Sequence, residues 1–169
     1  MLAQVDQLVK NPDDDGRVVL FGSSLGGFVA ATWAARNPGR CAALVLLAPA
    51  FDLGPRWRAQ MGETEVARWR SLGAFPFDHY ATGRIESLNY AFLEDALSYD
   101  SFPLSAAPTL LLQGEQDEVV SPQLARDFTR LLEAAGTAVR LVMLPDGHEL
   151  NADLPRLWRE MEPQLARFL

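Results

Sequence analysis

Residues 17–31, RVVLFGSSLGGFVAA, constrain the fold more than any other stretch of this chain. An apolar run, Val18-Val19-Leu20-Phe21, ends in Gly22-Ser23-Ser24-Leu25-Gly26-Gly27, and a helix-forming run begins at Phe28. Apolar run, glycine turn and helix in immediate succession describe a buried strand that turns sharply into a helix. The turn holds G-x-S-x-G with Ser24 at its centre. A nucleophile on so tight a turn needs a strained backbone, and side chains at Gly22 and Gly26 are expected to clash with it. The N–H of Leu25 then lies at a helix N-terminus, where a developing negative charge is stabilised. Ser24 has glycines at both −2 and +2, and Ser23 does not.

Two other glycine loops compete with this pattern. Gly22 and Gly27 have the spacing of a phosphate-binding G-x-x-x-x-G-K-[ST] loop, but Phe28 and Val29 stand where it needs a lysine and a hydroxyl. A dinucleotide-binding G-x-G-x-x-G fails because Ser24 takes the second glycine's place. A plain strand–turn–helix, glycine-rich for fit alone, stays open on this stretch by itself.

The rest of the chain keeps an αβ rhythm. Leu2, Val5, Leu8 and Val9 fall at helical spacing, and Asn11-Pro12-Asp13-Asp14-Asp15-Gly16 ends that helix. Asn11, Asp13, Asp15 and Gly16 match the first half of a calcium loop. The glutamate that such a loop requires falls on Gly22, so a solvated turn is expected. A helix over 25–36 stops at Asn37-Pro38-Gly39, and the wholly apolar 42–48 reads as a strand buried on both faces. Together these make a right-handed βαβ unit. Residues 108–113 form a third strand, and Ser121-Pro122 opens a helix closed by Gly136. Residues 138–144 form a fourth strand. Asp153 and Pro155 open a last helix running towards residue 169, with a kink expected at Pro163. The expected order is 18–21, 42–48, 109–113, 139–143, with 18–21 at one edge and no second oxyanion loop beside Ser24.

Residues 54–103 interrupt that rhythm. Trp57, Trp69, Tyr80, Tyr90 and Tyr99 are interleaved with Phe75, Phe77 and Phe92. A helix over 56–72, strands 75–80 and 85–90 around a turn at 81–84, and a short helix near 94–99 are expected. The segment reads as a cap inserted into a single domain of residues 1–169, a reading compatible with a long connection that has its own satellite core.

A hydroxyl nucleophile needs a base, and the base needs an orienting acid. Of two histidines, His79 lies in the aromatic segment and reads as structural. His148 lies just past the last strand, where parallel sheets place functional groups. Asp117 follows the preceding strand, with Glu115 and Glu118 as weaker candidates. Ser24, Asp117 and His148 therefore project from the carboxyl ends of strands.

A formal net charge of −7 argues against nucleic acid or an anionic membrane as a partner. The single cysteine, Cys41, can form neither an internal disulfide nor a zinc site, which points to a reducing compartment. The start, MLAQVDQLVK, has no signal-peptide pattern, and no apolar stretch reaches about 18 residues. A cytoplasmic location is expected.

The segments VVLFGSSLGG, LVLLAPA, PTLLLQGEQDEVV and LPDGHEL, spread over residues 18–150, resemble the α/β-hydrolases, most of all the small bacterial esterases with GSSLGG at the elbow. Ser…Asp…His is also the chain order of that fold. The resemblance implies an α/β fold: a parallel sheet with helices on both faces, about four core strands being present here. It implies Ser24 as nucleophile, His148 as general base and later acid, and Asp117, matching G-x-x-D with Gly114, as holder of the imidazole tautomer. The implied activity is cleavage of a small-molecule carboxylic ester or thioester through an acyl-enzyme, with no cofactor and no metal. An acyltransferase using the same residues, or a non-catalytic binding or scaffold protein keeping the fold, are the alternatives. The family's sheet has strands ahead of the elbow strand, and a loop there, often His-Gly, donates a second oxyanion N–H. Either a piece of a longer protein that lacks those N-terminal strands, which is the expectation, or a reduced domain with no ordinary oxyanion hole follows from that difference.

Overall fold

Unbroken apolar runs draw four strands of this chain into one parallel sheet. The structure, a computed structural model, describes residues 2–9, 16–79 and 83–166, with Asp78 and His79 described by their backbone alone. The elements are α1 (Leu2–Val9), β1 (Val18–Ser23), α2 (Leu25–Arg36), β2 (Cys41–Leu47), α3 (Leu53–Leu72), β3 (Ala74–His79), β4 (Arg84–Asn89), α4 (Ala91–Leu97), β5 (Thr109–Gly114), α5 (Pro122–Ala134), β6 (Val139–Leu144) and α6 (Leu154–Leu165). They form two compact units, Met1–Phe51 with Phe102–Leu169, and Asp52–Ser101.

In the first unit the sheet runs β1-β2-β5-β6, every pair parallel, in the order expected from the sequence. Every residue of β2 and β5 is buried. Val45, Leu47, Leu110, Leu112 and Leu144 turn one face towards Leu157 and Met161 of α6. Leu44, Leu46 and Leu111 point the other way and are at most 1% exposed, so the second face is covered as well. β1 differs: it has β2 on one side and, among the described residues, no strand on the other. Phe21 on it is 50% exposed.

Side chains close the helix ends where the sequence places capping residues. Ser121 Oγ accepts the N–H of Gln123 at 3.3 Å, with Pro122 in the first turn of α5. Asp153 accepts the N–H of Arg156 at 2.9 Å, and α6 continues through Pro163 to Leu165. The indole N–H of the fully buried Trp33 donates to Asp6 at 2.8 Å, which ties α1 to α2 although α1 buries no residue of its own.

The second unit occupies the place of the expected cap, two residues earlier at each end, and has its own core. Val66, Trp69, Tyr90 and Leu93 are buried together, with Trp57, Met61, Phe75 and Leu88 packed around them. Trp69 donates its indole N–H to Leu88 O at 2.9 Å, and its ring meets Tyr90 edge to face. Asp52 N–H donates to Ser101 O at 3.1 Å and Ser101 Oγ donates to Asp52 Oδ1 at 2.6 Å, which fastens the unit's two ends together. The elements depart from expectation in three places. α3 starts at Leu53, ahead of Pro55, because a proline fits the first helical turn. It is interrupted at Gly62 (φ 77°, ψ 160°). α4 begins at Ala91, where Asn89 accepts the Ala91 N–H at 2.8 Å, three residues before the expected start. The residues of the hairpin turn at 80–82, the acidic loop at 11–15 and the His79 side chain lie outside the described residues.

Candidate active site

Strand β1 delivers Ser24 to the head of α2 with φ 52° and ψ −121°, a backbone that L-residues rarely adopt. Such a residue costs on the order of 1–3 kcal/mol and persists only when its surroundings hold it. Here the hold is on both peptide groups. Ser24 N–H donates to Leu47 O at 2.8 Å, and Ser24 O accepts from Gly27 (3.0 Å), Phe28 (3.2 Å) and Ala50 (2.9 Å).

The glycine requirement differs from the one read in the sequence. A Cβ on Gly22 would lie 2.4 Å from Gly26 O, and one on Gly27 would lie 2.9 Å from Pro49 Cβ. A Cβ on Gly26 meets nothing within 4 Å. Gly22 and Gly27 therefore permit the close approach, and the expected clash at Gly26 does not occur, because its Cα points its missing side chain into open space.

His148 is placed by a loop that follows β6. Asp146 holds this loop, accepting the Gly147 N–H at 2.7 Å and the Ala152 N–H at 2.9 Å. Leu150 takes φ 53° and is 1% exposed, so it anchors the far side in the core. The loop after β5 lies hard against it. Glu115 N–H donates to Leu144 O at 2.8 Å, and Gln116 N–H to Asp146 O at 3.0 Å. A Cβ on Gly114 would stand 2.2 Å from Gly147 O, so only glycine fits where the two loops meet.

The structure brings Ser24, His148 and Asp117 into one hydrogen-bonded chain. His148 Nε2 lies 2.9 Å from Ser24 Oγ, and Nδ1 lies 2.8 Å from Asp117 Oδ2. A carboxylate only accepts, so Nδ1 carries the proton and Nε2 is free to accept the Ser24 O–H. Asp117 Oδ1 accepts the N–H groups of Val119 (2.9 Å) and Val120 (2.8 Å), while Oδ2 also accepts from Gln113 Nε2 at 2.8 Å. Burial pushes the Asp117 carboxyl up, but the hydrogen bonds from Val120, His148 and Gln113 together outweigh it and hold the group below its ordinary value. Its side chain has no solvent exposure, and that of His148 is 11% exposed. Glu115 and Glu118 face solvent. Leu25 opens α2, and its N–H is one of those at the helix start with no intrahelical partner.

Gln113 and Asp146 are the two residues of this cluster that the sequence reading passed over. A polar residue closing the apolar run PTLLLQ, and an aspartate two before His148, are the signals that mark them. Cys41 stands apart at the start of β2, where burial pushes its thiol above its ordinary value. Among the described residues, no group of three or more His, Cys, Asp or Glu could hold a metal ion, and no helix is long and apolar enough to cross a membrane.

A family model described as "Serine aminopeptidase, S33" matches residues 1–78. The acylamino-acid-releasing enzyme of Sus scrofa is 29% identical over 133 residues, which is 78% of this chain and 17% of that enzyme. The chain thus spans about a fifth of the length of the curated relatives it matches. Among solved structures, α/β hydrolase domain-containing protein 10 from mouse superposes with TM-score 0.74 at 22% identity, covering 99% of this chain and 68% of that one. Est1E from Butyrivibrio proteoclasticus superposes with TM-score 0.72 at 23% identity, covering 98% and 66% respectively.

Proposed function

We propose that the chain, whose fold is that of the α/β-hydrolases on which it superposes, is a serine hydrolase cleaving a carboxylic ester or thioester through an acyl-enzyme. One observation carries the reading: Ser24 Oγ, His148 and Asp117 are linked at 2.9 and 2.8 Å, on a turn strained to present the hydroxyl. Ser24 Oγ attacks the acyl carbon while His148 Nε2 takes its proton. Asp117 holds the imidazole tautomer and balances the charge that forms on the ring. The Leu25 N–H meets the developing oxyanion, a contribution of about 10²–10³ in turnover where such a donor is removed. The tetrahedral adduct collapses, the C–O or C–S bond breaks, and His148 returns the proton to the leaving alkoxide or thiolate. Water then attacks the acyl-enzyme by the same proton path, releasing the acid and restoring the Ser24 hydroxyl. These steps use no cofactor or metal, and the partner is a small-molecule ester in the cytoplasm.

A second reading is favoured by the relatives' names: the scissile bond is the amide of an N-acylated amino acid. Parallel assays on an aryl butyrate and an N-acetylalanyl anilide separate the two. Labelling by a fluorophosphonate, lost in Ser24→Ala, tests the nucleophile itself. A wild-type chain that takes no label is a scaffold rather than a hydrolase. A chain that transfers its acyl group to an added alcohol or amine faster than to water is an acyltransferase.

A further inference from the structure

Gln113 is the penultimate residue of β5 and is 0% exposed. Its Nε2 donates to Asp117 Oδ2 at 2.8 Å, and its Oε1 is buried with no hydrogen-bond partner. For the fold alone, this is a poor choice of residue. β5 is otherwise apolar from Leu110 to Leu112, and a buried amide with an unmatched oxygen costs stability that an aliphatic residue of the same volume does not. What the amide supplies is a fourth donor to a carboxylate that has no solvent. Oδ1 takes two backbone N–H groups, and Oδ2 takes His148 and Gln113, so every lone-pair direction of the Asp117 carboxylate is filled.

From this arrangement we infer that Gln113 is a positioning residue for the Ser24–His148–Asp117 chain, fixing the Asp117 carboxylate so that Oδ2 faces His148 Nδ1. The inference rests on the hydrolase reading for its effect on turnover, but the geometry it asserts exists without turnover. Backbone donors at Val119 and Val120 pin Oδ1 alone, which leaves the carboxylate free to swing about that pinned oxygen. Gln113 reaches Oδ2 from the strand side and His148 reaches it from the loop side. Between them they set where that oxygen stands. A buried Oδ2 with one donor removed has no water to replace it, so the carboxylate accepts a proton more readily.

The test uses the full chain with Gln113→Leu, which removes donor and acceptor, and Gln113→His, which keeps a ring N–H donor at that site. Gln113→Leu is expected to fold, with a melting temperature within a few degrees of wild type. Its kcat on an aryl ester should fall about 10-fold with KM unchanged, and the acid limb of its pH–rate profile should move up by about one pH unit. Gln113→His should restore the limb towards wild type. Proton NMR reads the geometry independently: the downfield Nδ1–H resonance of His148 should broaden or shift in Gln113→Leu and return in Gln113→His. An unchanged resonance and an unchanged acid limb in a folded Gln113→Leu would overturn the inference while leaving the hydrolase reading intact. A wild-type chain that takes no fluorophosphonate, yet loses the resonance in Gln113→Leu, overturns the hydrolase reading and leaves the positioning role standing. Should Gln113→Leu fail to fold, an unmoved resonance and acid limb in Gln113→Glu, which sets a second carboxyl against Asp117, overturns the inference as well.

Discussion

Asp117 Oδ2 receives the Nδ1–H of His148 at 2.8 Å in a place where the Asp117 side chain has no contact with solvent. A charge so enclosed is stable only through its donors, and this couples the site's chemistry to the stability of the fold.

The coupling has a defined sign. The folded state holds the Asp117 carboxyl below its ordinary value, so over that interval the unfolded chain binds more protons. The stabilisation is complete above the ordinary carboxylate value of about 4, and is lost as pH falls through the lowered one. Denaturant unfolding of wild type and Asp117→Asn from about pH 6 down to about pH 3 should show wild type losing its advantage on the acid side. At neutral pH the same substitution should lower kcat by about 10⁴, measured on an aryl ester, because the imidazole loses its enforced tautomer.

The two adjacent serines should separate cleanly. Ser24→Ala is expected to lower turnover by on the order of 10⁶ and abolish fluorophosphonate labelling. Ser23→Ala should retain activity within about 10-fold, since Ser23 ends β1 and has no place in the hydrogen-bonded chain. The reverse pattern would move the nucleophile to Ser23.

The glycines of the elbow make an asymmetric pair. Gly22→Ala drives a Cβ to 2.4 Å from Gly26 O, a backbone atom that cannot swing aside, and should destabilise by about 1–3 kcal/mol. Gly26→Ala adds its Cβ in open space within α2 and should be neutral or stabilising by up to about 1 kcal/mol. Thermal melting of the two variants measures the contrast, and equal losses would refute it.

Gly114 is expected to govern activity through the loops alone. In Gly114→Ala the new Cβ meets Gly147 O and Asp146 O, so the segment carrying His148 must move. A displacement of about 1 Å there should lower kcat by about 10². Gly136→Ala is the control: it is strained by its φ of 75° but meets nothing within 4 Å, so it should cost stability and spare kcat.

The sheet order was legible because β2 and β5 are wholly apolar and short turns leave little choice of neighbour. The elbow was legible because the spacing of Gly22 and Ser24 has a steric cause. Other features were not, and each for a physical reason. The demand at Gly27 depends on Pro49, and that at Gly114 on Gly147, contacts that exist only once distant segments have folded together. Gln113 reads as the polar end of a strand until Asp117 is seen four residues on, facing it. In the second unit, the break at Gly62 has no hydrophobic pattern to announce it. Trp69, Tyr90, Phe75 and Trp57, spread along the aromatic segment, come together in one core only once the unit has folded.

Among the described residues, β1, which leads into Ser24, is paired on one side alone, and this sets how this chain by itself should lose activity on warming or in mild denaturant. In amide exchange, the N–H groups of β1 that bond to β2 should be retained, and those on the other side should be lost within the dead time. β2 and β5 should exchange only through global opening. Detachment of β1 is then the lowest-energy excursion that disturbs Ser24, because it releases the Ser24 N–H from Leu47 and lets the strained φ relax. Activity is expected to fade ahead of the unfolding of the sheet. The fraction of competent molecules at a given temperature would then report the fraying of a single strand.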